Sequence, residues 1–466
     1  MNAPLIWIIF PLILAPIFWL PRRANVTAFF GGLVALFFSF LAWVFPIDTA
    51  LRISAELSIK IAPNLAIFGR QILLTPERQP LLVLIYGLAA LWFFGASAAG
   101  IARRLVPIGL AITALMVASL AVEPFLYAAL LIETAVLLSV PLLSPPNEKP
   151  GRGILRYLIY QTLAMPFILF AGWLLAGVES SPGDIELVVQ SATLLALGFA
   201  FLLAIFPLYT WIPILLEETS PYAVGFILWL LSTATLLFAI SFLNRYAWLR
   251  EFQELPTALR TTGLLMIVTG GFWAAFQRHL GRMMGYATVV NTGFSLLSLS
   301  LLDEYQLSAF FLLLIPQSLG LAVWSLAISS LKLREGSLEF KSLQGFSQKY
   351  PVIFAGLLFA HFSAAALPLL AGFPPIFAIW EGIAQNTLGG ALWIAAGLAG
   401  LFSGAIRTLA VGVMGDDNTR FSLGGSYLQN ILIGIGTILL IVLGIFPQIL
   451  HPLLINLPLA FERLGG

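Results

Sequence analysis

Long apolar stretches recur along the whole chain and restrict its fold more than any other feature. Runs broken by turn residues or charges lie near 4–20, 27–47, 80–100, 104–121, 124–143, 155–177, 191–213, 220–243, 257–276, 283–302, 307–332, 352–384, 388–414 and 429–450. Because a helix rises about 1.5 Å per residue, about 20 apolar residues can cross a hydrocarbon core of about 30 Å. The pattern predicts about 14 transmembrane helices in an all-α polytopic membrane protein. The first run lacks the basic flank of a cleavable signal, and we expect a retained helix there.

The composition agrees with this class and excludes several others. Charged residues make up 9% of the chain and hydrophobic residues 60%, whereas about 25% of the residues in a soluble domain are charged. The chain has no cysteine and only three dispersed histidines, which excludes thiolate-bound clusters, disulfides and a haem pair. We therefore expect no cofactor in this chain. The lipid bilayer is its expected environment, and nucleic acid is not an expected partner.

The basic residues predict how the chain is oriented. If 14 helices alternate in direction, 15 of the 23 lysine and arginine residues fall on one face. The positive-inside rule assigns that face to the cytoplasm and both termini to the outer side. We expect the membrane to be a bacterial inner membrane.

No linker or composition shift divides the sequence, so we predict one integral domain over residues 1–466. Its expected parts are N-terminal helices with an outer hairpin (1–103), a first repeat (104–243), a second repeat (257–414), and a C-terminal helix with a tail (429–466). The hairpin is predicted within 48–78, where Ile53, Leu57, Ile59 and Ile61 alternate with Ser54, Glu56, Ser58 and Lys60. The polar stretch 333–350 fits an interfacial helix or a loop.

Prolines interrupt two of the predicted helices. Pro207 lies in the seventh predicted helix, and Pro368, Pro374 and Pro375 lie in the twelfth. Proline removes a backbone donor, and the freed groups must be satisfied by protein or by water. Discontinuous helices five positions apart predict two inverted five-helix repeats, an arrangement typical of transporters. Two unrelated proline kinks are the alternative.

Glu133 is the leading candidate for proton handling. It lies nine residues after Pro124, and so about 14 Å into the membrane. An isolated ionised carboxylate at that depth costs at least ~2.5 kcal/mol, so Glu133 should be protonated, paired or next to water. The structural alternative is a neutral glutamic acid that hydrogen-bonds to a neighbouring helix.

Further candidates lie near the second interruption. Glu381 follows Pro375 and either contacts water at the break or marks the outer end of a helix. His361 precedes the break and serves either a proton path or a helix-to-helix hydrogen bond. Arg407 either partners a buried acid or extends to the cytoplasmic surface.

Several short motifs together resemble one family. Glu133 stands at the helix-5 glutamate of the antiporter-like membrane subunits of respiratory complex I, membrane-bound hydrogenases and Mrp-type antiporters. The family's P-F-H-x-W-x-P stretch resembles P-L-Y-T-W-I-P at 207–213, and A-P-x-P-V resembles S-P-Y-A-V at 220–224. R-M-M-G-Y-A-T at 282–288 is similar to R-L-L-A-Y-S-S, and A-G-F-P-P at 371–375 to A-G-x-P-P. Arg407 matches the arginine of the family's Y-Y-x-R helix.

The departures from the family pattern concern its charges. Leu202 stands at the helix-7 lysine position, and Ser232 stands near the helix-8 lysine position. The helix-12 lysine or glutamate position falls near Gly382, with Glu381 one residue earlier. A lysine alters a neighbouring carboxylate's proton affinity by its charge, and leucine does not.

The resemblance implies a non-catalytic membrane subunit of a complex I-like NADH (or other donor):quinone oxidoreductase. It provides either a proton route or a structural remnant of one. Flavin, iron-sulfur clusters and quinone would belong to partners, which are other membrane subunits and a peripheral redox arm. A subunit of a cation/proton antiporter or of a membrane-bound hydrogenase is the alternative.

Overall fold

The computed structural model of the protein describes residues 2–52, 58–67, 69–144, 149–180, 185–250, 252, 254–301, 304–414, 426–454, 457–458 and 460–461. A π-helical turn at Leu5–Ile9 leads into the first α-helix. The α-helices are α1 Phe10–Ile17, α2 Ala24–Val44, α3 Gln79–Gly95, α4 Ala102–Ala121, α5 Ala128–Leu143, α6 Arg152–Ser180, α7 Ile185–Leu202, α8 Trp211–Glu218, α9 Pro221–Arg245, α10 Ala247–Arg250, α11 Glu254–Phe276, α12 Leu280–Ser300, α13 Glu304–Glu335, α14 Phe346–Lys349, α15 Pro351–Ala364, α16 Phe373–Asn386, α17 Leu388–Val413, α18 Tyr427–Ile445 and α19 His451–Leu454.

The helices have the length and composition of an integral membrane protein. Within the described residues, 11 helices are long and apolar enough to cross a bilayer, and two shorter apolar helices accompany them at Leu5–Ile17 and Pro351–Ala364. Every predicted apolar run contains a helix. The all-α polytopic class is therefore confirmed. The number of 14 crossings and the inverted repeats stay predictions.

Short strands occupy the connection between α2 and α3. Strand β1 (Ala50–Arg52) pairs antiparallel with β2 (Ser58–Lys60). Strand β3 (Asn64–Ile67) pairs with β4 (Arg70–Leu73), which in turn pairs with β5 (Val122–Glu123) at the end of α4. The sheet thus ties this connection to the helical bundle. Ile53, Ser54, Glu56 and Leu57 of the predicted hairpin lie outside the described residues.

Both helices that were predicted to be discontinuous are broken. Between α7 and α8 the chain leaves the helix and passes Pro207, and a short 3₁₀ turn precedes α8. Between α15 and α16 a non-helical segment contains Pro368, while Pro374 and Pro375 lie in the first turn of α16. Proline is tolerated there because the first amides of a helix have no partner within it.

The two breaks have the same local geometry. Ala204 has φ of 50°, and the N–H of the next residue donates to the carbonyl of Ala200 at 2.9 Å. Ala366 has φ of 55°, and the residue after it donates to the carbonyl of Phe362, also at 2.9 Å. This is the helix ending in which a left-handed residue lets a later amide satisfy an unpaired carbonyl. Alanine supplies the left-handed residue in both places, although glycine would adopt it at lower cost.

The glycines of α11 and α17 allow these two helices to pack backbone against backbone. A Cβ on Gly271 would lie 2.0 Å from the carbonyl oxygen of Gly397, and one on Gly400 would lie 2.4 Å from the carbonyl oxygen of Gly271. Small residues permit this close approach in membranes, where packing and not the exclusion of water holds helices together.

Candidate functional site

Two small cavities lie between the broken helices, and they share part of their lining. The first has a volume of about 40 Å³ and the second of about 20 Å³. Asn291 of α12 and Gln317 of α13 line both, and the amide nitrogen of Gln317 donates to the carbonyl oxygen of Asn291 at 3.0 Å. A cavity of 10–15 Å³ with polar partners holds one water molecule. Each cavity therefore has room for at least one.

The first cavity adjoins the end of α7 and is lined by the two residues that the resemblance places at or near family lysine positions. Leu202 and Ser232 both line it, together with Thr288 and Gln161. The Gln161 amide donates to the carbonyl oxygen of Leu202 at 3.1 Å. Hydroxyl, amide and indole groups supply all the polar side chains of its lining. The cavity thus has polar surfaces without a side-chain charge.

The second cavity adjoins the break between α15 and α16. Ser363 and Gly372 line it from the two sides of the break. The Ser363 hydroxyl accepts a hydrogen bond from the N–H of Gly372 at 3.0 Å. This bond satisfies one backbone donor that the break would otherwise leave unpaired, so the serine holds the two half-helices together.

His361 is buried next to the second cavity but does not line it. Its ring lies against the indole of Trp324 with the ring centroids 4.3 Å apart. The ring is 0% exposed, and neither nitrogen has a hydrogen-bond partner within the described part of the chain. The structure therefore does not connect His361 to the polar path that was predicted for it.

Glu133 lies at the contact between α5 and α6. It is half-buried, and its carboxylate accepts a hydrogen bond from the Thr162 hydroxyl at 2.8 Å. Leu130 and Leu137, one turn before and after it, are exposed. Glu133 thus borders the outer surface of the bundle, and no described lysine or arginine forms an ion pair with it.

Glu381 is exposed on α16, two turns after the break. It lines a third cavity, of about 330 Å³, together with Gln306, Gln385 and Asn386. The helix continues only to Asn386. Glu381 therefore lies near the end of the half-helix and not at the break itself.

Arg407 contacts neighbouring segments at the end of the bundle that the predicted topology assigns to the cytoplasm. Its guanidinium donates to the carbonyl oxygen of Ala275 at the end of α11, and it lies 5.5 Å from the ring centre of Phe340. Within the described residues it forms no ion pair with an acid. These contacts favour the surface-directed interpretation of Arg407.

The sequence did not point to a charged group at the end of α8. Glu217 forms an ion pair with Arg282 of α12 at 2.5 Å, and the carbonyl oxygen of Glu217 accepts a hydrogen bond from Lys332 of α13 at 3.3 Å. The carboxylate of Glu218 accepts from the N–H of Gly153 at 2.7 Å. The half-helix α8 is thereby attached to three other helices. The only available signal was a Glu-Glu pair directly after an apolar run.

His279 begins α12 beside this group. Its Nδ1 accepts a hydrogen bond from the N–H of Arg282 at 3.3 Å, an N-cap interaction. Burial lowers the pKa of His279 from its ordinary value of 6.5. The cations of Lys332 and Arg282 also lower this pKa, whereas the carboxylates of Glu217 and Glu339 raise it without reversing the shift. At neutral pH the ring is therefore uncharged and can accept this bond.

The motifs that carry the family resemblance meet in space. The rings of Tyr209 and Tyr286 lie 6.3 Å apart, edge to face, and a Cβ on Gly285 would lie 3.0 Å from the Cα of Pro213. The P-L-Y-T-W-I-P and R-M-M-G-Y-A-T segments are thus packed against each other. No group of three or more His, Asp or Glu side chains suited to a metal ion occurs in the described ranges.

Comparisons with known proteins agree with this arrangement. Residues 155–403 match the model of the NADH:quinone oxidoreductase/Mrp antiporter transmembrane family. A chain of respiratory complex I from Thermus thermophilus has the same fold, with a TM-score of 0.79, 18% identity, and coverage of 99% of this chain and 100% of that one. A chain of the Mrp complex from Dietzia sp. also has a TM-score of 0.79, with 16% identity over 100% and 99% of the two chains. At these identities, the likeness concerns the fold alone.

Relatives are also found by sequence. NAD(P)H-quinone oxidoreductase chain 4-3 of Nostoc sp. is 28% identical over 263 residues, which is 52% of this chain and 45% of that protein. The alignment spans about half the length of the curated relatives that it matches. Because the family model covers more than half of the chain, this protein belongs to the NADH:quinone oxidoreductase/Mrp antiporter family of membrane proteins.

Proposed function

We propose that the chain is a membrane subunit of a complex I-like NADH (or other donor):quinone oxidoreductase whose interior has lost the charged links of a proton pump. It has no cofactor of its own. Flavin, iron-sulfur clusters and quinone belong to partners in a peripheral arm and in neighbouring membrane subunits.

One observation carries the proposal. The family positions Leu202 and Ser232 line the same cavity, and every polar side chain around that cavity is neutral. A proton pump of this family needs a charge whose movement changes the proton affinity of a neighbour. A leucine, a serine and their amide neighbours do not provide one.

The surroundings of Glu133 support the same conclusion. Its carboxylate has a hydroxyl partner, Thr162, and no described cationic partner. A hydroxyl can donate to a carboxylate and accept from a carboxylic acid. The Thr162 hydroxyl therefore favours neither form of Glu133 strongly and does not cause proton uptake or release. We infer that Glu133 is the remnant of a pumping site, at a surface where a second membrane subunit can pack.

A transporting subunit is the second candidate, and the shared cavity lining favours it. Asn291 and Gln317 connect the two small cavities, and water held there would link the breaks without a lysine. In that case Glu133 would bind the translocated proton and Glu381 would replace the missing helix-12 charge. His361 and Arg407 line neither of the two small cavities.

The number of protons translocated per electron tests the two candidates. In vesicles that contain the whole complex, we expect Glu133→Gln to assemble normally and to leave this ratio unchanged. Glu381→Gln, alone or combined with it, should also have no effect. A lower ratio in Glu133→Gln with normal assembly would establish the transporting subunit.

A restoration variant sharpens this test. Leu202→Lys places a cation in the neutral cavity, where the Gln161 side-chain oxygen and the Ser232 hydroxyl could accept hydrogen bonds from it. If lost charge is the reason for inactivity, this variant alone should change the ratio, and Leu202→Met should not.

Partners identify the type of complex. Co-purification from native membranes should recover hydrophilic iron-sulfur subunits and further helical membrane subunits. Recovery of membrane subunits only would favour a cation/proton antiporter, and recovery of a hydrogenase module would favour a membrane-bound hydrogenase.

We also propose a bacterial inner membrane as the location, with both termini on its outer side. The excess of basic residues on one predicted face supports this orientation. Single cysteines introduced into this cysteine-free chain test it. A cysteine at Ser347 should react with a membrane-impermeant reagent from the cytoplasmic side, and one at Ser54 from the outer side.

A further inference from the structure

An apolar groove opens between the N-terminal helix and α2. It has a volume of about 700 Å³ and is lined on one side by the π-helical turn and α1, and on the other by α2. Ile61, which pairs with Ile47 just beyond the end of α2, closes one end. All the lining side chains are aliphatic or aromatic, and Phe10, Ile13 and Phe37 among them are exposed. We call this feature the α1–α2 groove.

The floor of the α1–α2 groove is held in place by hydrogen bonds. Trp7 is 0% exposed, and its indole N–H donates to the carbonyl oxygen of Phe38 at 3.0 Å. The Phe38 ring lies 5.4 Å from the ring of Tyr86 in α3, and the Tyr86 hydroxyl donates to the carbonyl oxygen of Trp7. The indole N–H therefore needs no further partner. Because apolar walls without neighbouring atoms lose dispersion contacts, an apolar occupant would stabilise this groove.

The length of the groove matches one leaflet of a bilayer. Val34 is the middle residue of α2, and Phe45 directly follows its last residue; both line the groove. The stretch between them is about 16 Å long, which is about half of a hydrocarbon core of about 30 Å. A partner's transmembrane helix would need about 20 residues and the full thickness. An acyl chain of a phospholipid occupies one leaflet, so the length of the groove favours a lipid.

An ion pair lies at the closed end of the groove. Lys60 directly precedes Ile61 in the sequence, and the N–H of Asp48 donates to the carbonyl oxygen of Ile61 at 2.8 Å. The Lys60 Nζ lies 3.0 Å from a carboxylate oxygen of Asp48, and the two side chains are 59% and 48% exposed. An exposed pair of this kind contributes little to stability, so it can rearrange around a ligand. Its ammonium group can bind a phosphate, and its carboxylate can bind another ammonium group.

We propose that the α1–α2 groove binds one phospholipid whose headgroup carries both a phosphate and a primary ammonium group, as phosphatidylethanolamine does. One acyl chain lies along Phe10, Ile13 and Phe37. The phosphate contacts Lys60 and the ammonium group contacts Asp48. Phosphatidylglycerol has no cation for Asp48. The site is independent of the proposed function, because none of its residues lines the cavities at the helix breaks.

Lipid binding by the purified, delipidated full-length chain tests the proposal. The probe is phosphatidylethanolamine, titrated into the protein in detergent and counted by native mass spectrometry. Val34→Trp fills the groove at its membrane-centre end. Leu36→Trp is the matched control, because it places the same ring on an exposed part of α2 outside the groove. We expect the wild type and Leu36→Trp to bind one saturable phosphatidylethanolamine more than Val34→Trp.

Headgroup selectivity gives a second readout, which does not depend on filling the groove. Asp48→Asn removes the negative charge, and asparagine tolerates the left-handed φ of 62° at this position. The preference for phosphatidylethanolamine over phosphatidylglycerol should fall by about two- to fivefold. Glu335→Gln is the control, because it removes the acid of a different ion pair, with Lys349 at 3.9 Å. It should leave the preference unchanged.

Two outcomes would overturn the assignment. They are an equal number of bound phosphatidylethanolamine molecules in folded Val34→Trp and Leu36→Trp, and an unchanged headgroup preference in Asp48→Asn. If the first outcome came with loss of a membrane subunit from the native assembly in Val34→Trp alone, the groove would belong to a partner's helix. None of these results bears on the proton-to-electron ratio, so the proposed function is judged separately.

Discussion

The two helix breaks have the same backbone ending but different attachments. After α7 and after α15, an alanine adopts the left-handed conformation and the following amide bonds back to the helix. At the first break, the Gln161 side chain of α6 donates to the free carbonyl of Leu202. At the second, the Ser363 hydroxyl bonds the two half-helices directly to each other.

The difference shows how a broken helix is stabilised in a membrane. Lipid offers no hydrogen bonds, so each freed backbone group needs a protein or water partner. The first break obtains its partner from another helix. Each break borders one of the two small cavities. The second break obtains its partner from Ser363, at the end of the helix that is broken. It is tightly packed, since a Cβ on Gly372 would lie 2.1 Å from the carbonyl oxygen of Ser363.

We expect the largest effect from filling the second break. Gly372→Ala places a methyl group against the backbone of Ser363, which cannot rotate away, and overpacking of this kind costs about 1–3 kcal/mol or more. The melting temperature in detergent should fall by several degrees. Gly320→Ala is the matched control, because no described atom outside its own stretch of helix lies within 4 Å of its Cβ position. Equal melting of the two variants would show that the second break is not tightly packed.

The two attachments can be compared directly. Ser363→Ala leaves the buried N–H of Gly372 without a partner and should cost about 1–3 kcal/mol. Gln161→Met leaves only a carbonyl under-satisfied, a deficit that proteins tolerate somewhat more often. Thermal melting should therefore show a larger loss for Ser363→Ala. The reverse order would contradict the roles given to the two side chains.

The shared left-handed alanines predict a stabilising change of equal size at both breaks. Ala204→Gly and Ala366→Gly each remove a steric cost of about 1–2 kcal/mol from the folded state. Glycine loses more conformational entropy on folding than alanine, and this loss offsets part of the gain. A gain of roughly 0.5–1 kcal/mol should remain. Ala200→Gly, inside α7, should instead destabilise. A gain at only one break would mean that the two endings differ.

The smallest effect concerns His279, the N-cap residue of α12 beside the end of α8. Because burial lowers the pKa of His279, its uncharged form stabilises the fold. That contribution is complete above the ordinary histidine value of 6.5 and is lost as the pH falls through the lowered value of the folded state. The melting temperature should thus decline slightly on acidification. His279→Asn, which also caps a helix, should remove this part of the decline.

Much of the fold could be predicted because its signals are local. Apolar length predicted the helical runs, and Pro207 and Pro368 predicted the two interruptions. The motifs around 207–213 and 282–288 predicted the family that the comparison confirmed. Each signal is contained in a few neighbouring residues, so it can be recognised without knowledge of the tertiary arrangement.

The site residues were harder to predict. His361 was expected either on a polar path or in a helix-to-helix hydrogen bond, and the sequence did not predict that its ring packs against Trp324. Gln306 and Glu217 were not singled out at all, although they contact Ala378 and Arg282 respectively. A single glutamine or glutamate in an apolar helix shows no pattern that distinguishes a buried polar contact from an exposed one.

The membrane class and the places where two helices break follow from local sequence, and the resemblance adds that Leu202 and Ser232 stand at or near family lysine positions. The folded arrangement was needed to learn that these two residues border one neutral cavity, that Glu133 meets Thr162, and that Glu381 shares a cavity with Gln306. Apolar length and proline act along one segment, whereas polar contacts depend on how helices rotate against each other. Helices that are apolar on all sides do not encode that rotation in their periodicity.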